Sequence, residues 1–268
     1  MPEFLIVLAV NFALSAGLFL LLWVISLTLR DPSFVDSWWA LGVVVLAWAT
    51  LLQIGAASIH GALLVTLATL WGLRLGLYLF WRWRNHGMDR RYAGILEGAK
   101  AKRGWGFAIA ALALVFAPQM LLQFVVALPV QLGQLAAPRD PGLLALGGAT
   151  LALFGIVYEA VADAQLAHFK SNPDNAGAVM NKGLWRYSRH PNYFGELCAW
   201  WGIYLVAAET GLGAWSLPAP LLLTFLLTRV SGAPTTEPHL HETRAEYGDY
   251  KQRTSPLIPW RPGRATAP

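Results

Sequence analysis

The sequence predicts an all-α integral membrane protein with seven transmembrane helices, N-terminus outside and C-terminus cytoplasmic. Three observations carry that prediction. Of the 268 residues, 56% are hydrophobic and only 13% are charged, against roughly 25% charged in an average soluble domain. The apolar residues come in runs of bilayer length, which rules out a soluble doubly wound, barrel or bundle fold. Lys and Arg gather in alternate connections between those runs, as the positive-inside rule demands. A mean hydropathy of +0.47 and 13 tryptophans agree with a chain immersed in lipid, and the same hydrophobicity excludes disorder. Cys198 is the sole cysteine, so neither an intrachain disulfide nor a cysteine-based structural zinc site can form.

A helix crossing about 30 Å of hydrocarbon needs about 20 mostly apolar residues. Such spans lie near 4–29, 36–57, 61–82, 106–133 and 142–162, with shorter ones near 195–209 and 212–229. The first is too long, and its flank too uncharged, for a cleaved signal peptide. The fourth is long enough to tilt or to kink at Pro118 or Pro129, and Pro218 and Pro220 interrupt the seventh. Seven spans put Arg30–Val35, Trp83–Trp105, Asp163–Phe194 and the tail from Arg229 on one side, with nearly all the Lys and Arg. The other side holds Ile54–His60, Gly133–Pro141 and Glu209–Gly211, with Arg139 as its only Lys or Arg. An even number of crossings would put the basic tail outside. The net charge of +5 is therefore mostly topology. Anionic lipid headgroups or a phosphorylated cofactor suit the basic loops, and nucleic acid is not expected, since no binding motif accompanies the charge. Residues 1–260 read as a single membrane domain and 261–268 as a flexible tail.

Ionisable groups in or beside a span are costly and are functional candidates by default. Asp36 opens span two and is either a first-turn acid stabilised by the helix dipole or a site residue. Arg74 and Tyr78, four apart, share one face of span three. They serve as an interfacial arginine and a belt aromatic, or as site groups. After span three, Arg82 to Tyr92 mixes Asn85, His86, Gly87 and Asp89 among arginines that include Arg91. That mixture departs from a plain lipid-anchoring run. At the end of span five, Glu159, Asp163 and Lys170 fall on one face if the helix continues. Carboxylates there suit ribose or amide groups; a solvated helix end is the plainer alternative.

The richest stretch is Lys182-Gly183-Leu184-Trp185-Arg186-Tyr187-Ser188-Arg189-His190-Pro191-Asn192-Tyr193-Phe194-Gly195-Glu196. Pro191 suits the first turn of a helix, whose N-terminal N–H groups favour an anion beside Arg186, Arg189 and His190. Asn192 and Glu196 project from one face of it. Farther on, Glu237, His239 and His241 match no standard zinc spacing, so no metal is expected. No phosphate loop, nucleophile elbow or dinucleotide-fold glycine motif occurs.

Arg189-His190-Pro191-Asn192-Tyr193-Phe194-Gly195-Glu196, together with Tyr247-Gly248-Asp249-Tyr250, Arg253 and Leu257-Ile258-Pro259-Trp260, resembles the steroid 5α-reductase superfamily. The nearest likeness is to a bacterial branch long known as a domain of unknown function. Ser33-Phe34-Val35-Asp36, Arg84-Asn85 with Asp89-Arg90-Arg91-Tyr92, and Glu159 with Ala162-Asp163-Ala164-Gln165 carry it across nearly the whole chain. The resemblance implies seven helices around an NADPH pocket open to the cytoplasm, in a bacterial inner membrane. It implies hydride transfer to the β-carbon of an enone while an acid and a tyrosine polarise the 3-oxo group.

Residue by residue, the resemblance implies that Asp36 and Tyr78 bind the carbonyl, with Arg74 orienting or charging the pair. Asn85, Asp89, Arg91, Tyr92, Glu159, Asp163, Lys170, Arg186, Tyr187, Arg189, His190, Asn192, Glu196, Glu237 and His241 would hold NADPH, the arginines meeting phosphates. The family's Gln-Glu pair is absent from helix two, Asp36 being the acid in the comparable place. Glu159 stands where other branches have asparagine, and Lys170 where they have arginine. Gln53 lies at the wrong end of helix two and reads as structural. The expected substrate is a 3-oxo-4-ene steroid or similar lipophilic molecule entering from the bilayer. The rival is an isoprenylcysteine-type methyltransferase using S-adenosylmethionine, against which stand Glu196 after Gly195 and the polar residues 85–92. A non-catalytic lipid-binding or assembly protein would not explain polar groups in five segments of one side.

Overall fold

A computed structural model of the chain describes residues 2–55, 58–136 and 140–263. Arg139, the end of the span drawn to 57, and residues 264–268 of the expected tail lie outside the described residues. Among the described residues all regular structure is helical. Six helices are long and apolar enough to cross a bilayer: Glu3–Leu29, Val35–Ile54, Ile59–His86, Phe107–Val126, Leu143–Ser171 and Gly213–Thr243. By length and hydropathy this is a multi-pass membrane protein. We name the first three α1, α2 and α3.

The sequence-based spans need revision at several points. Trp83–Trp105 is not merely a loop: Arg90–Arg103 forms α4, whose N-cap Asp89 accepts from the Arg91 N–H. The fourth span runs as α5 (Phe107–Ala111), a π-helical turn (Leu112–Phe116), α6 (Ala117–Val126) and α7 (Leu128–Gln134). The expected irregularities fall where proline removes an N–H: the π turn just precedes Pro118, and the break at Ala127 just precedes Pro129. The fifth span, α8 (Leu143–Ser171), continues nine residues beyond its expected end at 162, so Glu159, Asp163 and Lys170 do share one helix. Finally, α9 (Pro191–Ala208) is a helix of 18 residues outside the six, because Asn192 and Glu196 dilute its first turns. Pro218 begins α10 (Pro218–Phe225) rather than interrupting it, since its missing N–H is unused in a first turn. A second π turn, Leu226–Val230, then precedes α11 (Ala233–Thr243) and α12 (Tyr247–Arg253).

The chain divides into two compact units. One comprises Met1–Ala149 with Ile203–Ala219, the other Thr150–Gly202 with Pro220–Pro268.

In the first unit α1 is built inside out. Its buried residues are Asn11, Ser15, Phe19 and Ser26, while Leu5, Ile6, Val10, Leu20, Leu21 and Val24 are exposed. That arrangement suits lipid, where apolar association has no driving force and polar or small residues make the interhelical contacts. Asn11 donates to Thr50 Oγ1 at 2.8 Å and to Gln131 Oε1 at 2.9 Å. Gln53 donates to Asn11 Oδ1 at 2.7 Å, the structural part expected of it. Helices α2 and α3 meet along Gly72 and Gly76, four residues apart. A Cβ at Gly72 would lie 2.7 Å from the Ala40 carbonyl oxygen, and one at Gly76 would lie 3.1 Å from that of Ser37.

The second unit has its own close approach. A Cβ at Gly155 on α8 would lie 2.3 Å from the Ala199 nitrogen, and one at Gly195 on α9 would lie 2.6 Å from the Glu159 nitrogen. Neither backbone can give way locally. Gly155→Val is therefore expected to destabilise the protein by about 2–4 kcal/mol, seen as a lower melting temperature in detergent. Gly147→Val, where nothing lies within 4 Å of an added Cβ, should leave that temperature nearly unchanged.

Candidate functional site

The residues expected to act fall into two groups, one in each unit. In the first unit the chain turns between α1 and α2 through Asp31, whose Oδ1 accepts from the Ser33 N–H and hydroxyl. Its Oδ2 accepts from Trp83 Nε1 at 2.8 Å. The Ser33 hydroxyl in turn accepts from the Asp89 N–H at 3.3 Å, which brings the start of α4 to the start of α2. There Arg91 Nη2 donates to Asp36 Oδ2 at 2.7 Å and to Asp89 Oδ2 at 3.0 Å. The Tyr92 hydroxyl donates to Asp36 Oδ1 and accepts from Gln119 Nε2 at 2.9 Å.

Burial works against the Arg91 charge, but Asp36 and Asp89 outweigh it and hold the guanidinium firmly protonated. Burial also works to raise the Asp89 carboxyl, and Arg91 overcomes it, leaving that group below its ordinary range. The Tyr92 phenol is pushed well above its ordinary value by burial and by the Asp36 carboxylate, so it keeps its proton.

The tyrosine bonded to Asp36 is Tyr92, which the resemblance assigns to NADPH rather than to the carbonyl. Tyr78 stacks on Trp81, with ring centroids 6.2 Å apart and planes at 25°. Arg74 lies one turn before it, half-buried. Arg91 supplies a cation at Asp36. Asn85 ends α3 exposed, its amide donating to the Trp81 carbonyl at 2.7 Å. Gln119 was missed, although a glutamine inside an apolar span is the kind of costly residue that marks a site.

In the second unit, the crossing at Gly155 and Gly195 sets Glu159 beside α9, where it is buried. One turn on, Asp163 Oδ1 accepts from Asn192 Nδ2 at 3.3 Å. Glu196 follows Asn192 by one turn of α9, half-buried, and Lys170 lies exposed toward the end of α8. The segment 183–190 is fixed by its own chemistry. Gly183 sits at φ +57°, where a Cβ would also meet the Gln165 side chain at 2.5 Å. Leu184 N donates to Gln165 Oε1 at 2.9 Å, and Trp185 Nε1 to the Ala162 carbonyl at 3.0 Å.

Glu237 on α11 gathers three cationic or imidazole partners. Arg189 Nε lies 3.0 Å from its Oε1, His190 Nε2 is 3.1 Å from the same oxygen, and Lys251 Nζ is 3.1 Å from Oε2. Lys251 was not anticipated, although it directly follows Tyr250 of the C-terminal motif. Arg189, expected at a phosphate, is therefore neutralised by Glu237, as Arg91 is by Asp36 and Asp89. Among the described residues Arg186 has no carboxylate partner. Tyr187 is exposed, and its carbonyl accepts from the Trp260 N–H at 2.9 Å. His241 lies exposed on α11, its ring edge-on to Tyr247 at 6.5 Å.

The arrangement offers carboxylates and amides for hydroxyl and amide ligands, a protonated phenol, and cations that differ in how far they are already neutralised. Burial depresses the His190 imidazole below its ordinary 6.5, despite the help of Glu237. The unfolded state therefore binds the extra proton first, and stability present above about pH 6.5 is lost as pH falls below it. The melting temperature in detergent should drop between about pH 7 and 5, and His190→Gln should flatten that slope.

No curated protein and no solved structure matches the chain. A family comparison does match, over residues 22–254, a range that takes in both groups of site residues. The chain belongs to the family described as "Protein of unknown function (DUF1295)".

Proposed function

We propose that the protein is an NADPH-dependent reductase of the carbon–carbon double bond of a lipophilic enone, such as a 3-oxo-4-ene steroid. What supports this most is the Asp36–Tyr92–Gln119 group. Reduction of an enone builds negative charge on the carbonyl oxygen, and a pre-aimed donor in a low-dielectric site stabilises it. Tyr92 is such a donor, with its proton retained and its oxygen positioned by Gln119. It takes the part that the sequence reading gave Tyr78. The Asp36 side chain, 22% exposed, occupies the place where a carbonyl oxygen would accept the Tyr92 proton. The Tyr92 hydroxyl donates to Asp36 Oδ1 and burial holds its proton in place, so the phenol is the donor.

The residues of the second unit fit a dinucleotide by donor type. Asp163 is a carboxylate for ribose hydroxyls. Asn192 is an amide for the carboxamide, and Glu196 is a further acceptor one turn away. The Tyr193 ring, parallel to His190 at 5.1 Å, gives an aromatic face. When bound, the reduced nicotinamide supplies the hydride. The chain's own residues bind, orient and polarise. With α9 as a seventh crossing, the odd count leaves the basic connections and tail on the cytoplasmic side, as charge asymmetry favours. The lipophilic substrate then arrives from the bilayer and the cofactor from the cytoplasm.

The detergent-purified protein is expected to bind NADPH and to consume its reduced-nicotinamide absorbance when progesterone is added. Tyr92→Phe should lower kcat about 10²–10³-fold, the usual cost of one oxyanion donor, with little change in NADPH affinity. Glu196→Gln should weaken NADPH binding. Binding of S-adenosylmethionine alone would replace this reading with methyl transfer, and an unchanged kcat in Tyr92→Phe would remove the phenol from the reaction.

A further inference from the structure

The last described residues fold back along the segment before α9. Arg189 N donates to the Ser255 carbonyl at 2.9 Å, Trp260 N to that of Tyr187 at 2.9 Å, and Gly263 N to that of Arg253 at 2.9 Å. The Ser188 hydroxyl donates to the Leu257 carbonyl at 2.7 Å. From α12, the Tyr250 hydroxyl donates to the Trp185 carbonyl at 2.6 Å and to that of Ser188 at 3.2 Å. Burial raises this phenol above its ordinary value, so it remains a donor. These bonds fix two stretches of chain side by side and leave between them a cavity of about 470 Å³.

Three cations line that cavity, Lys182, Arg186 and Arg253, together with Thr254, Gly183 and Gly263. No Asp or Glu is among the lining residues. The contrast with Arg91 and Arg189 is chemical. Those guanidiniums meet carboxylates at 2.7–3.0 Å, whereas Lys182 and Arg186 have no carboxylate partner among the described residues. The Arg253 Nε donates to the Asp249 carbonyl at 3.2 Å, which steadies the guanidinium and leaves its two terminal nitrogens for another acceptor. Like charges held around a concave space repel one another, and a bound anion relieves that repulsion. Guanidinium and ammonium groups converging without carboxylates are the donor set of a phosphate site.

We propose that this cavity is a phosphate subsite, with Lys182, Arg186 and Arg253 as its ligands. The phosphate belongs either to a soluble dinucleotide, which rests on the reductase reading above, or to a lipid headgroup, which does not. The site's size accommodates more than a single phosphate, so an attached sugar or glycerol fits beside it.

The test titrates the purified full chain in nonionic detergent with inorganic pyrophosphate and, separately, with NADPH. It also measures the affinity of the reconstituted protein for anionic over zwitterionic phospholipid in mixed vesicles. Lys182→Gln, Arg186→Gln and Arg253→Gln should each weaken pyrophosphate binding roughly tenfold, as loss of a hydrogen bond to a charged group does. Arg186→Lys and Arg253→Lys should retain most of it, which separates charge from folding. Lys100→Gln, an exposed cation on α4, should change nothing. Parallel losses for NADPH assign the phosphate to the dinucleotide. Loss of anionic-lipid preference with NADPH affinity unchanged assigns it to a headgroup. Pyrophosphate binding that responds to these variants in a protein that binds no NADPH would leave the subsite standing and end the reductase reading. Pyrophosphate affinity unchanged in all three neutralised variants overturns the proposal.

Discussion

The backbone contact between α8 and α9 is the constraint on which the second unit depends. At Gly155 and Gly195 the two helices approach so closely that no side chain fits between them. In lipid no hydrophobic force draws helices together, and close van der Waals contact with a few polar bonds must serve instead. Gly195 lies against Glu159, and one turn farther on Asp163 reaches Asn192 at 3.3 Å. That distance is near the outer limit of a useful bond, so a helix pair spread by a single methyl group would lose it. The same glycines that make the packing possible therefore set the spacing of the polar groups. Gly72 and Gly76 do the same for α2 and α3 in the first unit.

What a basic residue can do next depends on its carboxylates. Arg91, Arg186 and Arg189 are alike in sequence: each stands in a short polar stretch beside a hydrophobic span. In the folded chain Arg91 lies between Asp36 and Asp89, and Arg189 against Glu237. A buried ion pair satisfies the charge at the cost of its desolvation and leaves little attraction for a third party. Those two arginines join segments of chain, α4 to α2 and α11 to the start of α9. Arg186 lies across its segment from Arg189, toward the cavity shared with Lys182 and Arg253, where attraction for an anion survives. Charge density along the sequence shows neither division.

Much of the fold was legible in the sequence because lipid imposes a simple rule on it. Long apolar runs gave α1, α2, α3 and α8, and prolines marked the irregular turns before Pro118 and Pro129. Pro191 marked the first residue of α9. Helix α4 was not legible, since Arg90–Arg103 carries charges on every side and glycines at 94 and 98. Only its cap, Asp89, announced it. Helical spacing revealed that Asn192 and Glu196 share a face, and it located Asp36 as an acid at the start of α2. It could not show that Tyr92, 56 residues away, returns to that acid. Local periodicity fixes which residues share a helix face, and only tertiary folding decides which turn arrives opposite. Lys251 and Gln119 were missed for the same reason: each matters through one partner distant in sequence.

Helix α2 carries both kinds of polar contact, and their chemistry differs with position. Near its C-terminal end, Thr50 and Gln53 join Asn11 and Gln131 through neutral groups. Such a network of neutral groups changes little with pH, so it is suited to holding helices together. At the N-terminal end, Asp36 pairs with the Arg91 guanidinium and accepts from Tyr92, which keeps its proton. Ionised groups are costly to keep in a low dielectric, and packing alone would be served as well by apolar residues of similar volume. A phenol that can turn its proton from Asp36 to an incoming oxygen gives that cost a chemical purpose. The neutral end of α2 accordingly has the character of a structural joint, and the ionised end that of a reacting site.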